Sequence, residues 1–298
     1  MRVLGQDLAL VVKFVRNFRG GSQPILAQAS DGLLYVVKFT NNLQGAHLPF
    51  NECIGTELYK ACGLSVPPWK RLLLTDQFID QNPNCWMQTD IGPLRPKSGL
   101  CFGSRFLGED GGRLLEILPQ SSFQRIRNFE SFWLAWMIDI CAEHTDNRQA
   151  IFLEDGQRFL RAFFIDHGHL FGGPQGKRRS HFSASRYLDC RVYQDISPEH
   201  QRNLLKTAES LNVEKLWRQV QRLPDDWKSS LAISGFERCL SRLSNSGLLL
   251  NVVDTMVDAY QRGFKGSEGK PNIEQKFNVR LSGIQASLAE SVPRFQYQ

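Results

Sequence analysis

Two aspartates, Asp146 and Asp166, bracket the segment that carries most of the reactive side chains in this chain, EHTDNRQAIFLEDGQRFLRAFFIDHGHLFGG over residues 143–173. Between them the pattern predicts a strand over 150–153, a turn at Glu154-Asp155-Gly156-Gln157 and a second strand over 159–165. A hairpin folds back on itself, so residues at its open end lie close in space. Two carboxylates delivered to one place can divide into a general base and an oxygen ligand for a hard cation such as Mg²⁺. Equally, either aspartate could cap a turn, and the spacing alone leaves both readings open.

A second pair lies earlier. Lys38 ends the apolar run Leu34-Tyr35-Val36-Val37-Lys38-Phe39, where a cation needs a partner or an anionic ligand. Glu52 opens the helix that follows. The two suit an internal ion pair of the kind that holds nucleotide phosphates. They also suit a snorkelling strand-end lysine and an exposed glutamate at a helix N-terminus. Ahead of both, Gly20-Gly21-Ser22-Gln23 joins two strands. Adjacent glycines let backbone N–H groups converge on a phosphate, although a plain turn uses the same residues and the run is neither a Walker A loop nor GxGxxG.

The elements that must position these groups divide the chain by pattern. Strand-like runs dominate the first hundred residues: 8–14, 25–29, 34–39, 69–74 and 100–107, with Ser30-Asp31-Gly32 as a hairpin turn. A helix is expected over 51–62, because Phe50, Ile54, Leu58 and Cys62 fall on one stripe and Gly63 suits its stop. Val66-Pro67-Pro68 enforces an extended segment, and 80–98 reads as loop. Gly108 to Gly112 (GEDGG) looks like a joint between two lobes. Beyond it Asn128 can cap a helix whose Phe129, Phe132, Trp133, Trp136, Met137 and Ile140 form a core stripe. Helical runs follow at 199–211, 213–221, 235–243 and 248–262. The expected domains are an N-lobe over 1–108, a C-lobe over 109–265 and a polar tail over 266–298.

Composition sets the outer limits. The chain has 298 residues, 42% hydrophobic and 22% charged, which excludes a disordered, collagen-like or coiled-coil protein. No apolar run approaches the ~20 residues of a bilayer span, and the N-terminus does not read as a signal peptide, so a soluble cytoplasmic protein with no membrane partner is expected. Seven scattered cysteines without a CxxC pair argue for free thiols. The net charge of +6 favours polyanionic partners, yet only Lys177-Arg178-Arg179 forms a basic run, a weak basis for nucleic-acid binding.

In chain order the features run glycine loop, strand lysine, helix glutamate, joint, helix, aspartate, hairpin, Asp-x-Gly, the order of a bilobal kinase. At GGSQP (20–24), DGLLYVVKF (31–39), NECIGTELYKACGLSVP (51–67), GLCFGSRFLG (99–108), TDNRQAIF (145–152) and FFIDHGHLFGG (163–173) the chain resembles the HipA-like kinases. The resemblance implies an α+β, bilobal protein-kinase-like fold, with a β-rich N-lobe and a mainly helical C-lobe. It further implies ATP and Mg²⁺ as cofactors. Lys38 would hold the ATP phosphates and Glu52 would orient it. Gly20, Gly21, Ser22 and Gln23 would cover the phosphates, with Ser22 an exposed hydroxyl near the γ-phosphate and a candidate for self-phosphorylation. Arg105, Phe106 and Leu107 would lead into the adenine-binding hinge. Asp146 would orient or deprotonate the acceptor, and Asp166 would ligate the metal. The implied substrate is a protein Ser/Thr, and the implied partner is antitoxin-like or regulatory.

One position departs from the family. Kinases of this broader class place a metal-binding Asn five residues beyond the catalytic Asp, and here that residue is Ile151. Asn147 and Gln149 are the nearby amides, and Gln149 is the expected replacement. Without a replacement the chain would be a pseudokinase serving as a nucleotide-binding or interaction scaffold. A metal-dependent hydrolase built on His144, Asp146, Asp166 and His169 is the remaining alternative, although its spacing matches no HExxH-like pattern.

Overall fold

A computed structural model describes residues 8–109, 113–155, 157–176 and 185–263. Ten strands and seven α-helices are found in it, in a mixed α+β arrangement. They are β1 (Leu8–Asn17), β2 (Ile25–Ala29), β3 (Leu34–Lys38), α1 (Leu48–Ala61), β4 (Trp69–Leu74), α2 (Asp76–Gln81), β5 (Met87–Thr89), β6 (Gly92–Leu94) and β7 (Gly99–Arg105). The second half contributes β8 (Leu114–Leu115), α3 (Glu130–Cys141), β9 (Gln149–Glu154), β10 (Leu160–Ile165), α4 (Pro198–Glu209), α5 (Val213–Arg222), α6 (Ser230–Leu243) and α7 (Ser246–Gly263).

The early strands close into a barrel in the order β1-β2-β3-β7-β4. All its pairs are antiparallel except the closing one, where Leu8, Ala9 and Leu10 lie parallel to Arg71, Leu72 and Leu73. Closure leaves no unpaired edge. Val11, Ile25, Val37, Leu72 and Cys101 are buried in its core, which α2 covers through Phe78 and Ile79. The expected loop at 80–98 is therefore corrected: Thr75 caps α2 by accepting from the Phe78 amide, and β5 and β6 form a short hairpin. No periodic run announces either element, because each is too short to show a period.

Helix α1 belongs to the other core. Phe50, Ile54 and Leu58 are fully buried and Cys62 nearly so, each contributing roughly 1.5–3 kcal/mol for a large apolar side chain. They pack with α3, α5 and α6, and the Phe50 ring meets Phe171 and Phe236 edge-on. Gly63 has φ +79°, the left-handed stop that its type allows. The helix starts earlier than its stripe suggests, at Leu48, because Pro49 suits the first turn. Glu52 consequently sits inside the helix and does not open it.

In α3 the residues Phe132, Trp133, Trp136 and Met137 are buried, with Phe129 and Ile140 packed beside them. Asn128 does not cap this helix. Its side-chain amide donates to the Ala162 carbonyl, and its oxygen accepts from the Ala162 N–H, so it binds the edge of β10 like another strand. The later helices fall within a few residues of their expected spans. The GEDGG joint continues from a 3₁₀ turn at Leu107–Glu109 into 110–112, outside the described residues. Lys177-Arg178-Arg179 and the tail also lie outside them. Among the described residues no helix is long and apolar enough to cross a membrane.

Candidate active site

Strand β3 hands Lys38 to the space between the barrel and α1. Only 6% of the residue is exposed, which would be costly for an unpaired ammonium. Its Nζ donates to Glu52 Oε1 and, at 2.8 Å, to Asp166 Oδ1. Three segments far apart in sequence thus meet on one cation. Glu52, in turn, accepts from the backbone amides of Gly168 (2.9 Å, Oε1) and His167 (3.2 Å, Oε2). One carboxylate ties α1 to the lysine and to the chain beyond Asp166. The alternative of a snorkelling lysine and an exposed glutamate does not hold.

Asp166 stands directly after β10 with φ +60° and ψ +65°. Aspartate tolerates this left-handed turn better than most residues. The turn aims the next two amides at Glu52. Asn51 secures the same stretch, donating to the carbonyls of Gly168 and Leu170 at 2.9 and 2.8 Å. Close approach demands a glycine at position 55, since a Cβ there would stand 2.6 Å from His167 Cβ.

The hairpin behaves as its flanking residues require. β9 and β10 pair antiparallel with Gln149 opposite Ile165, so Asp146 and Asp166 leave the same open end. Gln149 Nε2 donates to Asp166 Oδ2 at 2.8 Å. Asn147 instead turns its backbone N–H to Asp146 Oδ1. Ile151 shares the strand face of Gln149 by the two-residue alternation, so an isoleucine stands where a metal-binding asparagine was sought. Asp146 keeps a side chain that is 46% exposed, with Oδ2 3.9 Å from His169 Nε2. His169 lies between Thr145 Oγ1 (3.1 Å) and Gln44 Nε2 (3.2 Å).

Beneath these groups lies a network that the sequence reading missed. Arg148 is buried with Asp139, joined by two bonds of 2.8 and 2.7 Å, while Tyr59 donates to the same carboxylate. The other arm of the guanidinium donates to the carbonyls of Ile165 (2.9 Å) and Asp166 (3.3 Å). Arg148 therefore sets the backbone from which the Asp166 carboxylate projects. A signal existed: Asp139 is a carboxylate inside the apolar run Phe132–Ile140, where a buried charge must have a partner.

The charges follow from burial and pairing. For Asp166, burial would raise the carboxyl, but the Lys38 ammonium outweighs it and holds the group below the usual carboxylate range. Burial would likewise lower Lys38, and the two carboxylates raise it above an ordinary lysine. Glu52 is raised by its complete burial despite Lys38. His144 and His167 are pushed well down by burial and by the Arg148 charge, and burial lowers His169 as well.

Two expected features take a different form. Ser22 is buried, not exposed: Asn42 donates to its carbonyl at 2.8 Å, and Gly21 rests on the Gln44 side chain. Gln23 exchanges two hydrogen bonds with the backbone of Gln88, so the glycine loop, with Gly20 at its start, is braced by the β5–β6 hairpin. At the expected hinge, the amides of Arg105 and Phe106 already donate to the Pro68 and Leu34 carbonyls, because β7 continues the barrel ladder there. Leu107 begins the 3₁₀ turn beyond it. His144, Asp146, Asp166 and His169 do not form a ligand set. His144 Nδ1 binds the Asp146 carbonyl, Asp166 turns to Lys38, and among the described residues no group of three His, Cys, Asp or Glu side chains is placed to hold a metal.

Compared with known protein families and curated proteins, the chain matches none. Among solved structures it is similar to a Helicobacter pylori proinflammatory kinase, CtkA, at TM-score 0.49 and 12% identity, covering 78% of this chain and 94% of that one. It is also similar to the Golgi casein kinase, at TM-score 0.44 and 10% identity, covering 87% and 73%. The same kinase with Mn/ADP bound gives TM-score 0.45 at 10% identity, covering 87% and 74%. All three scores fall below one half, so the chain's own residues must decide what it does.

Proposed function

We propose that the protein is an ATP- and Mg²⁺-dependent phosphotransferase of HipA-like type, acting on a protein Ser/Thr. The observation that carries the reading is Lys38 held between Glu52 and Asp166. An ammonium fixed by a helix carboxylate at the end of a barrel strand is prepared for phosphate oxygens, and the second carboxylate is prepared for a cation beside them. In this reading the barrel with α1 forms the nucleotide lobe, and the hairpin with the later helices forms the catalytic lobe.

The donor set fits magnesium. Asp166 Oδ2, on the more open side of the triad, would offer a hard oxygen ligand, and Gln149, whose Nε2 now donates to it at 2.8 Å, would have to turn its amide oxygen to the ion to add a second, with phosphates and water completing such a site. Bound there, the ion would neutralise phosphate charge. Lys38 would grip phosphate oxygens, with Glu52 keeping its ammonium in place. Asp146, the more exposed carboxylate, would orient the acceptor hydroxyl and take its proton. Ser22 becomes an acceptor only if its loop opens.

A second reading rests on Ile151. With no amide at that position, and with Lys38 and Gln149 both bonded to Asp166, a nucleotide-binding scaffold without turnover is the rival. Calorimetric titration with ATP, with and without Mg²⁺, separates the two. Magnesium-dependent binding that Asp166→Asn abolishes, together with phosphate transfer that Asp146→Asn removes by roughly 10²–10⁴-fold without loss of binding, supports the enzyme. Metal-independent binding without transfer supports the scaffold. Absence of binding in both conditions overturns both readings.

A further inference from the structure

Toward the C-terminal end of α1, beyond the Lys38 triad, lies a cleft of about 560 Å³ that the catalytic reading does not use. Its apolar lining comes from Leu64, Val66, Pro67 and Pro68, from Trp69, and from Phe163 of β10 and Leu223 beyond α5. The Trp69 ring is fixed, stacked on Phe102 and donating to Glu57 Oε1 at 2.9 Å.

The rim is basic. Lys60, Lys70, Arg71, Lys215 and Arg222 line it, against the single carboxylate of Glu57, which Trp69 already engages. Lys70 is paired with Asp31 outside the cleft at 2.8 Å. The other four carry no ion pair among the described residues, and Arg71 reaches only the Arg222 carbonyl, at 3.3 Å. Four unpaired cations sharing a cleft with these apolar side chains are not explained by packing, which would place the charges apart or pair them.

We propose that this cleft docks an acidic peptide segment of a partner protein, seating an apolar side chain against Trp69 and the Pro67-Pro68 wall. Charge complementarity selects this occupant. The chain's own segment 264–298 carries more Lys and Arg than Asp and Glu and would be repelled. A bare polyanion would use the cations and leave the apolar lining unfilled, so a peptide with both characters fits better than a nucleic acid. The cleft also adjoins the elements that form the triad. Thr56, on its α1 side, donates to the Glu52 carbonyl one turn back, and Phe163 lies on β10, which leads directly into Asp166.

The test is calorimetric titration of the full chain, without nucleotide, using a synthetic peptide of alternating Glu and Asp around a central Phe-Leu pair. Omitting nucleotide keeps the outcome independent of the phosphotransferase reading. Binding should weaken with added salt. It should fall roughly tenfold when Lys60→Gln and Lys215→Glu are combined, as expected for two rim charge contacts. These side chains are exposed, so the fold should persist. A peptide with Ser in place of Phe-Leu should bind comparably weakly to the unchanged protein. Equal affinity of parent and variant, no binding at all, or tighter binding of a single-stranded oligonucleotide than of the peptide would each overturn the proposal.

Discussion

Replacing Lys38 by Met removes the cation from between two carboxylates while keeping a side chain of similar length. At the 2.8 Å separation from Asp166 and an effective dielectric constant of about 20, the lost attraction is roughly 6 kcal/mol before solvation is counted. Solvation offsets part of this, since Lys38 no longer has to be buried. Truncating one partner of a buried ion pair has a net cost of about 3–5 kcal/mol, because the remaining charge is stranded. Glu52 is the group most affected, being 2% exposed and bonded to two backbone amides. The folded chain has only about 5–15 kcal/mol to lose, so Lys38→Met should lower the urea midpoint markedly at unchanged slope, read from its tryptophan fluorescence. Adding Glu52→Gln should recover about 1–3 kcal/mol, since the stranded charge disappears while the amide oxygen still accepts from one of the two backbone amides that the carboxylate held through separate oxygens. A single variant within about 1 kcal/mol of the parent, or a double variant no more stable than the single, would refute this account of the triad.

Other consequences can be tested alongside. Arg148→Met should cost about 3–5 kcal/mol through the stranded Asp139, and hydrogen exchange at the His167 and Gly168 amides should quicken as the Ile165 and Asp166 carbonyls lose their donor. Gly55→Ala should cost about 1–3 kcal/mol by forcing a methyl to within 2.6 Å of His167 Cβ, measured as a lowered thermal midpoint. His144, His167 and His169 each have a folded value below the ordinary histidine value of 6.5, so the unfolded chain binds protons first. Their contribution is fully present above pH 6.5 and is lost as the pH falls from there toward their folded values, which unfolding midpoints across that window will reveal.

Much of the architecture was legible because its signals are periodic or local. The alternating runs and the Asp31-Gly32 turn mark the strands of the barrel, and the stripe Phe50, Ile54, Leu58, Cys62 marks α1 with its stop at Gly63. The hairpin carrying Asp146 and Asp166 was equally readable, since turn residues between two apolar runs place the flanking groups by geometry. Less could be read where a side chain chooses among partners. Asn128 has the right type and place for a cap, yet it binds β10 because the strand edge offers both a donor and an acceptor there. Ser22 reads as an exposed loop hydroxyl until Asn42 and Gln44 close over its loop.

By itself the sequence determined the order of reactive groups and the elements on which they ride, because strand alternation, helix stripes and turn chemistry act over a few residues. Only the tertiary structure decided which of those groups meet. Lys38 could have pointed to water and Glu52 could have sat on a solvated face. Closing the barrel against α1 and folding the hairpin beneath it removes water from both, and a buried ammonium then requires the two carboxylates that the fold brings to it. The same holds for Arg148, whose partner Asp139 lies on another element. Such pairings depend on long-range packing, which no local spacing encodes.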